Sequence, residues 1–238
     1  MRNRNPQVCI YCGSEADTSD HIPPRALFEK WPANGIQVPS CASCNNGASK
    51  DDEYFRLVMT SRADTGNHPE AQAITQTVMK SLERKEARGF LESAFRSLTG
   101  IELSTPGGLF VGMAPGFIAD LRRLNRVAAR IIAAMFFFEA KERLPDAYEA
   151  IAFEQSGPKL DQATQHQLRA AIAEVQTVPG KTIGNEVFSY WFKRSDEDPY
   201  LSTWALLFYK AAGFIGWTVR KDRAKILRPP SLTPVDTR

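Results

Sequence analysis

No stretch of this sequence is apolar for long enough to cross a bilayer. The longest such run, Ile131 to Phe138, falls far short of the roughly 20 residues that a spanning helix needs, so a membrane partner is not expected. The first residues, Met-Arg-Asn-Arg-Asn-Pro, lack the apolar core of a secretory signal, and a cytoplasmic protein is the expectation. No internal repeat and no glycine-rich loop that could cradle phosphate is found. Neither sign of charge dominates, with 30 Lys and Arg against 27 Asp and Glu, an excess too mild to argue for a polyanionic partner by itself. Histidine occurs three times and cysteine four times in 238 residues, which narrows where metal or nucleophilic chemistry can reside.

All four cysteines fall near the amino terminus, as two Cys-x-x-Cys pairs: Cys9 with Cys12, and Cys41 with Cys44. Two residues between cysteines let both thiolates of a knuckle face one tetrahedral ion, and two knuckles complete a closed structural zinc site. A cytoplasmic setting disfavours disulfides between them. Because four thiolates fill the coordination sphere, such a zinc has no position open to water. Its expected role is to replace the core that so short a segment cannot build.

Between the knuckles runs Thr18-Ser19-Asp20-His21-Ile22-Pro23-Pro24, followed by Arg25-Ala26-Leu27-Phe28. An aspartate offers a hard oxygen to Mg²⁺ or a similar cation, and the imidazole beside it has a pKa suited to taking a proton from water. In an extended segment the two side chains point to opposite sides, so one can hold an ion while the other faces an attacking water. A surface Asp-His ahead of a Pro-Pro turn fits the same residues. After the second knuckle, Asn45 and Asn46 add oxygen ligands beside the zinc, or alternatively a helix cap or turn. Asp51-Asp52-Glu53 reads as the acidic first turn of a helix.

In the order of these elements the segment resembles the HNH endonuclease family, in its version with two zinc knuckles: Cys-x-x-Cys, then Asp-His-Ile/Val-x-Pro, then Cys-x-x-Cys-Asn. The resemblance covers about residues 8 to 56. It implies a zinc-bound, treble-clef-like ββα-metal module with a hairpin and a helix around a catalytic ion, familiar from bacterial and phage nucleases. The implied activity is hydrolysis of nucleic-acid phosphodiester bonds, DNA being the expected substrate, with Mg²⁺ or Mn²⁺. Asp20 would bind the divalent ion, His21 would be the general base and Asn45 the second protein ligand, with Asn46 competing for that place. Two positions depart from the pattern. A further asparagine expected ahead of the third cysteine is replaced by Ile36, with Asn34 nearby but shifted, and the lysine expected soon after Asn45 is replaced by Ala48, with Lys50 two residues on.

Downstream, the pattern predicts an α+β chain: the module at 1–60, a larger mixed domain of helices and a C-terminal antiparallel sheet at 61–228, and a flexible tail at 229–238. Helices are expected at 51–63, 69–98, 117–143 and 161–175 from their apolar spacing. Strands are expected at 109–111, 187–192, 204–209 and 214–219, rich in branched and aromatic residues, with a turn at 196–199. His68 and His166 read as surface residues. On the 117–143 helix, Leu124, Ala128, Ile131 and Met135 mark the buried side. Residues 1–60 hold six Lys or Arg against seven Asp or Glu, so much of the attraction for a polyanion would have to come from elsewhere. Lys50, Arg123, Arg126 and Arg130 are the candidates for nucleic-acid contact; a solvated helix side fits them as well. Two classes of function remain: a metal-dependent nuclease, and a non-catalytic zinc-stabilised module that binds nucleic acid or protein. Either leaves room for a homo-oligomer or a protein partner.

Overall fold

The computed structural model describes residues 7–82, 98–104, 108–155 and 162–227. They form a mixed helix and sheet fold whose strand pairings are all antiparallel. Among them no helix is long and apolar enough to cross a membrane.

The amino-terminal knuckle turns on Gly13, whose φ of +80° is a left-handed conformation that suits a residue without Cβ. A hairpin follows, with β1 (Thr18–Ile22) paired to β2 (Ile36–Ser40). Asp20, Ile22, Ile36, Val38 and Ser40 form its buried row, the alternation expected of a strand with one face on a core. Helix α1 (Ala42–Ser61) leaves the second knuckle directly, nine residues earlier than the expected start at 51. Its first turn is held by capping: the Cys44 N–H donates to Cys41 Sγ and the Ala42 N–H to Asp17 Oδ1 at 2.7 Å. Asp51, Asp52 and Glu53 therefore lie within the helix instead of opening it. Its apolar face, with Tyr54, Phe55, Leu57, Val58 and Met59 buried, emerges only in its second half, which is why spacing alone placed the start late.

Helix α2 (Pro69–Leu82) follows, and residues 83–97 of the expected 69–98 helix lie outside the described residues. The expected helix does not hold to its last residue, because Leu98 already opens β3 (Leu98–Ser104), paired with β4 (Phe110–Phe117). Helix α3 (Leu121–Ala140) buries Leu124, Ala128, Ile131 and Met135, as its spacing predicts. The last sheet has five strands in the order β5-β9-β8-β7-β6: β5 (Tyr148–Glu154), β6 (Lys181–Ile183), β7 (Phe188–Arg194), β8 (Ser202–Phe208) and β9 (Ala212–Arg220). Three of these extend the expected strands. β5 and β6 were not foreseen, β6 because it is short and β5 because its mixed polar and apolar residues show no clean alternation. Helices α4 (Gln162–Val175) and α5 (Lys221–Leu227) complete the fold. The 229–238 tail lies outside the described residues.

Helix α3 lies close on the sheet. A Cβ added to Gly216 would meet the Ile151 carbonyl at 2.3 Å and Ile132 Cδ1 at 2.4 Å. Gly216→Val is therefore expected to destabilise the fold by about 1–3 kcal/mol through overpacking, read from a urea melt as a lower midpoint with unchanged slope.

Residues up to 74 and from 121 onward form one compact unit, and 75–120 form a second, a division unlike the boundary expected at 60. Within the first unit the hairpin and α1 share a core with the five-stranded sheet. Phe55 of α1 packs against Phe208 and Phe214, with ring centroids 5.1 and 5.6 Å away, and the Tyr209 hydroxyl donates to the Leu27 carbonyl at 2.7 Å. Asn34 donates to the Thr182 carbonyl and accepts from the Gly184 N–H, so it docks the hairpin loop on the sheet. His68, expected at the surface, is 8% exposed, with Tyr209 beside its ring and the Asn185 carbonyl 3.1 Å from Nε2. Both contacts come from far along the chain, beyond the reach of local sequence. His166 is exposed.

Candidate functional site

The two knuckles bring Cys9, Cys12, Cys41 and Cys44 together as free thiols whose sulfurs all lie within 4.8 Å of one another, Cys12 and Cys41 being 3.6 Å apart. Four thiolates each about 2.3 Å from one tetrahedral ion would stand about 3.8 Å apart, so the cluster could hold a metal such as zinc. Among the described residues it is the only group of three or more His, Cys, Asp or Glu side chains so placed.

Beside it opens a cleft of about 370 Å³ lined in part by Asp20, His21, Asn45, Asp52, Arg25 and Arg56. The wall from α1 follows from helical geometry, since Asn45, Ser49, Asp52 and Arg56, all lining residues, recur at intervals of four, three and four residues and share a face. The buried Tyr54, Leu57 and Val58 fall on the opposite side. That periodicity brings Asn45 into the cleft, while Asn46 is exposed and is not among the lining residues.

Asp20 is almost fully buried, and two groups from distant elements fix it. The Tyr11 hydroxyl donates to Oδ2 at 2.5 Å and Arg130 Nη2 at 2.7 Å. The Arg130 guanidinium also stacks over the Tyr11 ring, 4.6 Å from its centroid. Burial and the Asp20 charge hold the Tyr11 hydroxyl well above its ordinary pKa, so it remains a donor. Both bonds fall on Oδ2, and among the described residues none falls on Oδ1. Asn45 is held through its amide nitrogen. Its Nδ2 donates to the Ser19 carbonyl at 3.2 Å and lies 3.4 Å from Thr18 Oγ1, while Oδ1 takes no bond among the described residues. One oxygen from Asp20 and one from Asn45 are thus uncommitted, and hard oxygen donors of this kind fit Mg²⁺ or Mn²⁺. Asp52 lies behind them, 3.9 Å from Arg130 Nη1. Burial pushes its carboxyl up to about 6, with Asp20 and Asp51 adding to the rise and Arg130 opposing it.

His21 is held by two residues that the sequence did not mark. Gln37 is its direct partner across the hairpin, with the amide nitrogen 3.2 Å from His21 Nε2. The Trp31 ring meets the imidazole edge to face, 4.6 Å between centroids at 86°. Burial, and then the charge of Arg25, lower the His21 pKa below its ordinary value, against the pull of Asp20, which favours the neutral ring. Gln37 occupies the strand position next to Ile36. Only the pairing register connects it to His21, and that register is not written in any local motif.

The arginines expected to contact nucleic acid are engaged by acids. Arg123 and Arg126 donate to the two oxygens of Asp51 at 2.7 and 3.0 Å, and Arg123 also to the Lys50 carbonyl. Burial alone would raise the Asp51 carboxyl, but the two arginines outweigh it and hold it below the ordinary range. Arg130 serves Asp20. The Lys50 side chain is exposed and is not among the residues lining the cleft. Comparisons of the chain with models of protein families, with curated proteins and with solved structures found no match.

Proposed function

We propose that this chain is an HNH-type, metal-dependent nuclease that hydrolyses nucleic-acid phosphodiester bonds, with DNA the expected substrate. The observation that carries the reading is the convergence of Asp20, His21 and Asn45 on one cleft beside the four-cysteine cluster. In this reading Cys9, Cys12, Cys41 and Cys44 hold a structural zinc, and a cytoplasmic setting keeps their thiols available to it. Asp20 Oδ1 and Asn45 Oδ1 are the oxygens that would hold Mg²⁺ or Mn²⁺. When bound, that ion supplies Lewis-acid stabilisation of the charge developing on the phosphate.

The remaining chemistry belongs to side chains of this protein. His21, neutral near pH 7, takes a proton from the attacking water. Tyr11 and Arg130 fix the direction of the Asp20 carboxylate through their bonds to Oδ2. Gln37 sets which ring nitrogen carries the proton. Its N–H directed at Nε2 places the ring proton on Nδ1. Turning the amide by half a rotation presents Oε1 to an Nε2–H and frees the Nδ1 lone pair. We assign the second arrangement to the active site. Gln37→Leu is then expected to lower cleavage about 10- to 100-fold, as loss of a supporting hydrogen bond commonly does. Gln37→Glu, which can only accept from Nε2–H, should restore most of it. Its carboxylate stabilises the imidazolium, so the acid limb of the pH profile should move to higher pH. A Glu variant as inactive as the Leu variant would show that the amide acts as a donor.

The reading as a whole is tested by incubating the protein with Mg²⁺ or Mn²⁺ and plasmid, single-stranded DNA or RNA. Cleavage of at least one substrate, absent when the divalent ion is withheld, is expected. A second reading, a non-catalytic zinc-stabilised module that docks on nucleic acid or protein, draws support from the pairing of Asp20 with Arg130, which already neutralises the candidate ligand. Binding without cleavage of any substrate would select it.

A further inference from the structure

The cleft is lined by two arginines, Arg25 and Arg56. Arg25 projects from the short 3-10 turn Arg25–Leu27, which is anchored by the fully buried Leu27. Arg56 lies three turns along α1 from Asn45 on the same face. Four other arginines of this unit meet carboxylates at hydrogen-bonding distance: Arg62 with Asp64 and Glu154, Arg123 and Arg126 with Asp51, and Arg130 with Asp20. Arg25 has no such partner among the described residues. Arg56 has a side chain only 16% exposed, yet its nearest acid is Glu53 at 3.6 Å, itself 70% exposed, and its buried Nε has no hydrogen-bond partner. A largely buried guanidinium left without a close counter-charge is costly unless an anion completes it. Asp20 is compensated by Arg130 and Arg56 meets only the exposed Glu53, which leaves positive charge from Arg25 and Arg56 on the cleft that His21 and Asn45 also line.

We propose that Arg25 and Arg56 together form the phosphate seat of the cleft, gripping one phosphodiester of a nucleic-acid strand between them, and that the seat lies here and not on the arginines of α3. Guanidinium groups suit this ligand because their paired N–H donors match phosphate oxygens. The proposal deepens the nuclease reading and rests on it for the chemistry of the ligand, but binding can be read without cleavage.

The test uses the full chain and a fluorescein-labelled, phosphorothioate-linked oligodeoxynucleotide that resists hydrolysis, titrated by anisotropy in Mg²⁺ over a series of KCl concentrations. Arg25→Gln with Arg56→Gln should weaken binding at least tenfold and lower the slope of log K against log salt by about 0.7, one single-strand phosphate contact. Arg25→Gln alone, at an exposed position, should give a smaller loss in the same direction without any effect on folding. Lys193→Gln, an equal loss of charge on β7, should change neither quantity. Three results would overturn the proposal: no binding by the wild type, an equal loss in Lys193→Gln, or a loss of slope confined to Arg123→Gln with Arg126→Gln. Binding that depends on Arg25 and Arg56 in a protein that cuts no substrate would support the seat while removing the hydrolytic reading.

Discussion

His21→Ala is expected to cleave about 10²- to 10⁴-fold more slowly than the wild type, the usual worth of a general base, with metal content, melting temperature and oligonucleotide affinity little changed. The side chain makes one hydrogen bond and one ring contact at the mouth of the cleft, so its removal leaves the hairpin core intact. The pH profile of the wild type should match. Burial and Arg25 hold the imidazole below its ordinary value, so the free base persists to more acid pH, and activity should rise with pH, with a midpoint below about 6.5, and then level off. His21→Ala should lose that limb. Asp20→Asn should fail in another way, with a raised requirement for Mg²⁺ and a lower melting temperature, since Tyr11 and Arg130 lose a buried ionic partner. Equal cleavage by His21→Ala and wild type would end the base assignment.

Cys41→Ser is expected to release the metal and to lower the melting temperature of the whole unit of residues up to 74 and from 121 onward. Cys41 contributes twice, as one of the four converging thiols and as the sulfur that caps α1 through the Cys44 N–H. A serine hydroxyl can still accept from the Cys44 N–H, so what the variant loses is the metal, and that loosens the start of the helix whose far half carries Phe55 onto Phe208 and Phe214. Structural zinc contributes of order 10 kcal/mol in isolated knuckle peptides, more than the usual net stability of a domain. With Trp31, Trp191 and Trp217 changed to Phe in both proteins, Trp204, fully buried in the sheet, reports on the distant half by fluorescence. One transition, shifted to lower temperature and seen alike by Trp204 and by far-ultraviolet circular dichroism, is the expected outcome, with metal content measured by atomic emission. A variant without metal whose Trp204 transition is unmoved would show that the knuckles stabilise only themselves.

What could be read from residues alone was chemistry set by short spacing. Two Cys-x-x-Cys pairs specify a cluster wherever the chain between them runs, and the adjacency of Asp20 and His21 survives any fold. The choice of Asn45 over Asn46 was open because it depends on the phase of α1, which is fixed by a cap at Cys41 and Asp17 and not by apolar spacing. The roles of Arg123, Arg126 and Arg130 were open for a related reason. Their even spacing on one helix is visible, but the acids that meet them, Asp51 and Asp20, sit more than 70 residues away. Gln37 and Arg56 were invisible because a lone glutamine in a strand and a lone arginine in a helix carry no pattern. Only strand register and helical phase bring them to the cleft.

The docking of the hairpin on the sheet bears on how far this site could travel. A segment ending near residue 60 would take the four cysteines, Asp20, His21 and Asn45 with it. It would leave behind Arg130, the aromatic bed of Phe55, the backbone partners of Asn34 and the hydroxyl that ties down Leu27. Transplanted alone into another protein, the segment would present a solvent-exposed Phe55 and an Asp20 held by Tyr11 alone. The smallest portable form of this site is therefore discontinuous, two stretches of chain flanking residues 75–120, and any fusion or circular permutation that respects it has to break the chain in that intervening region.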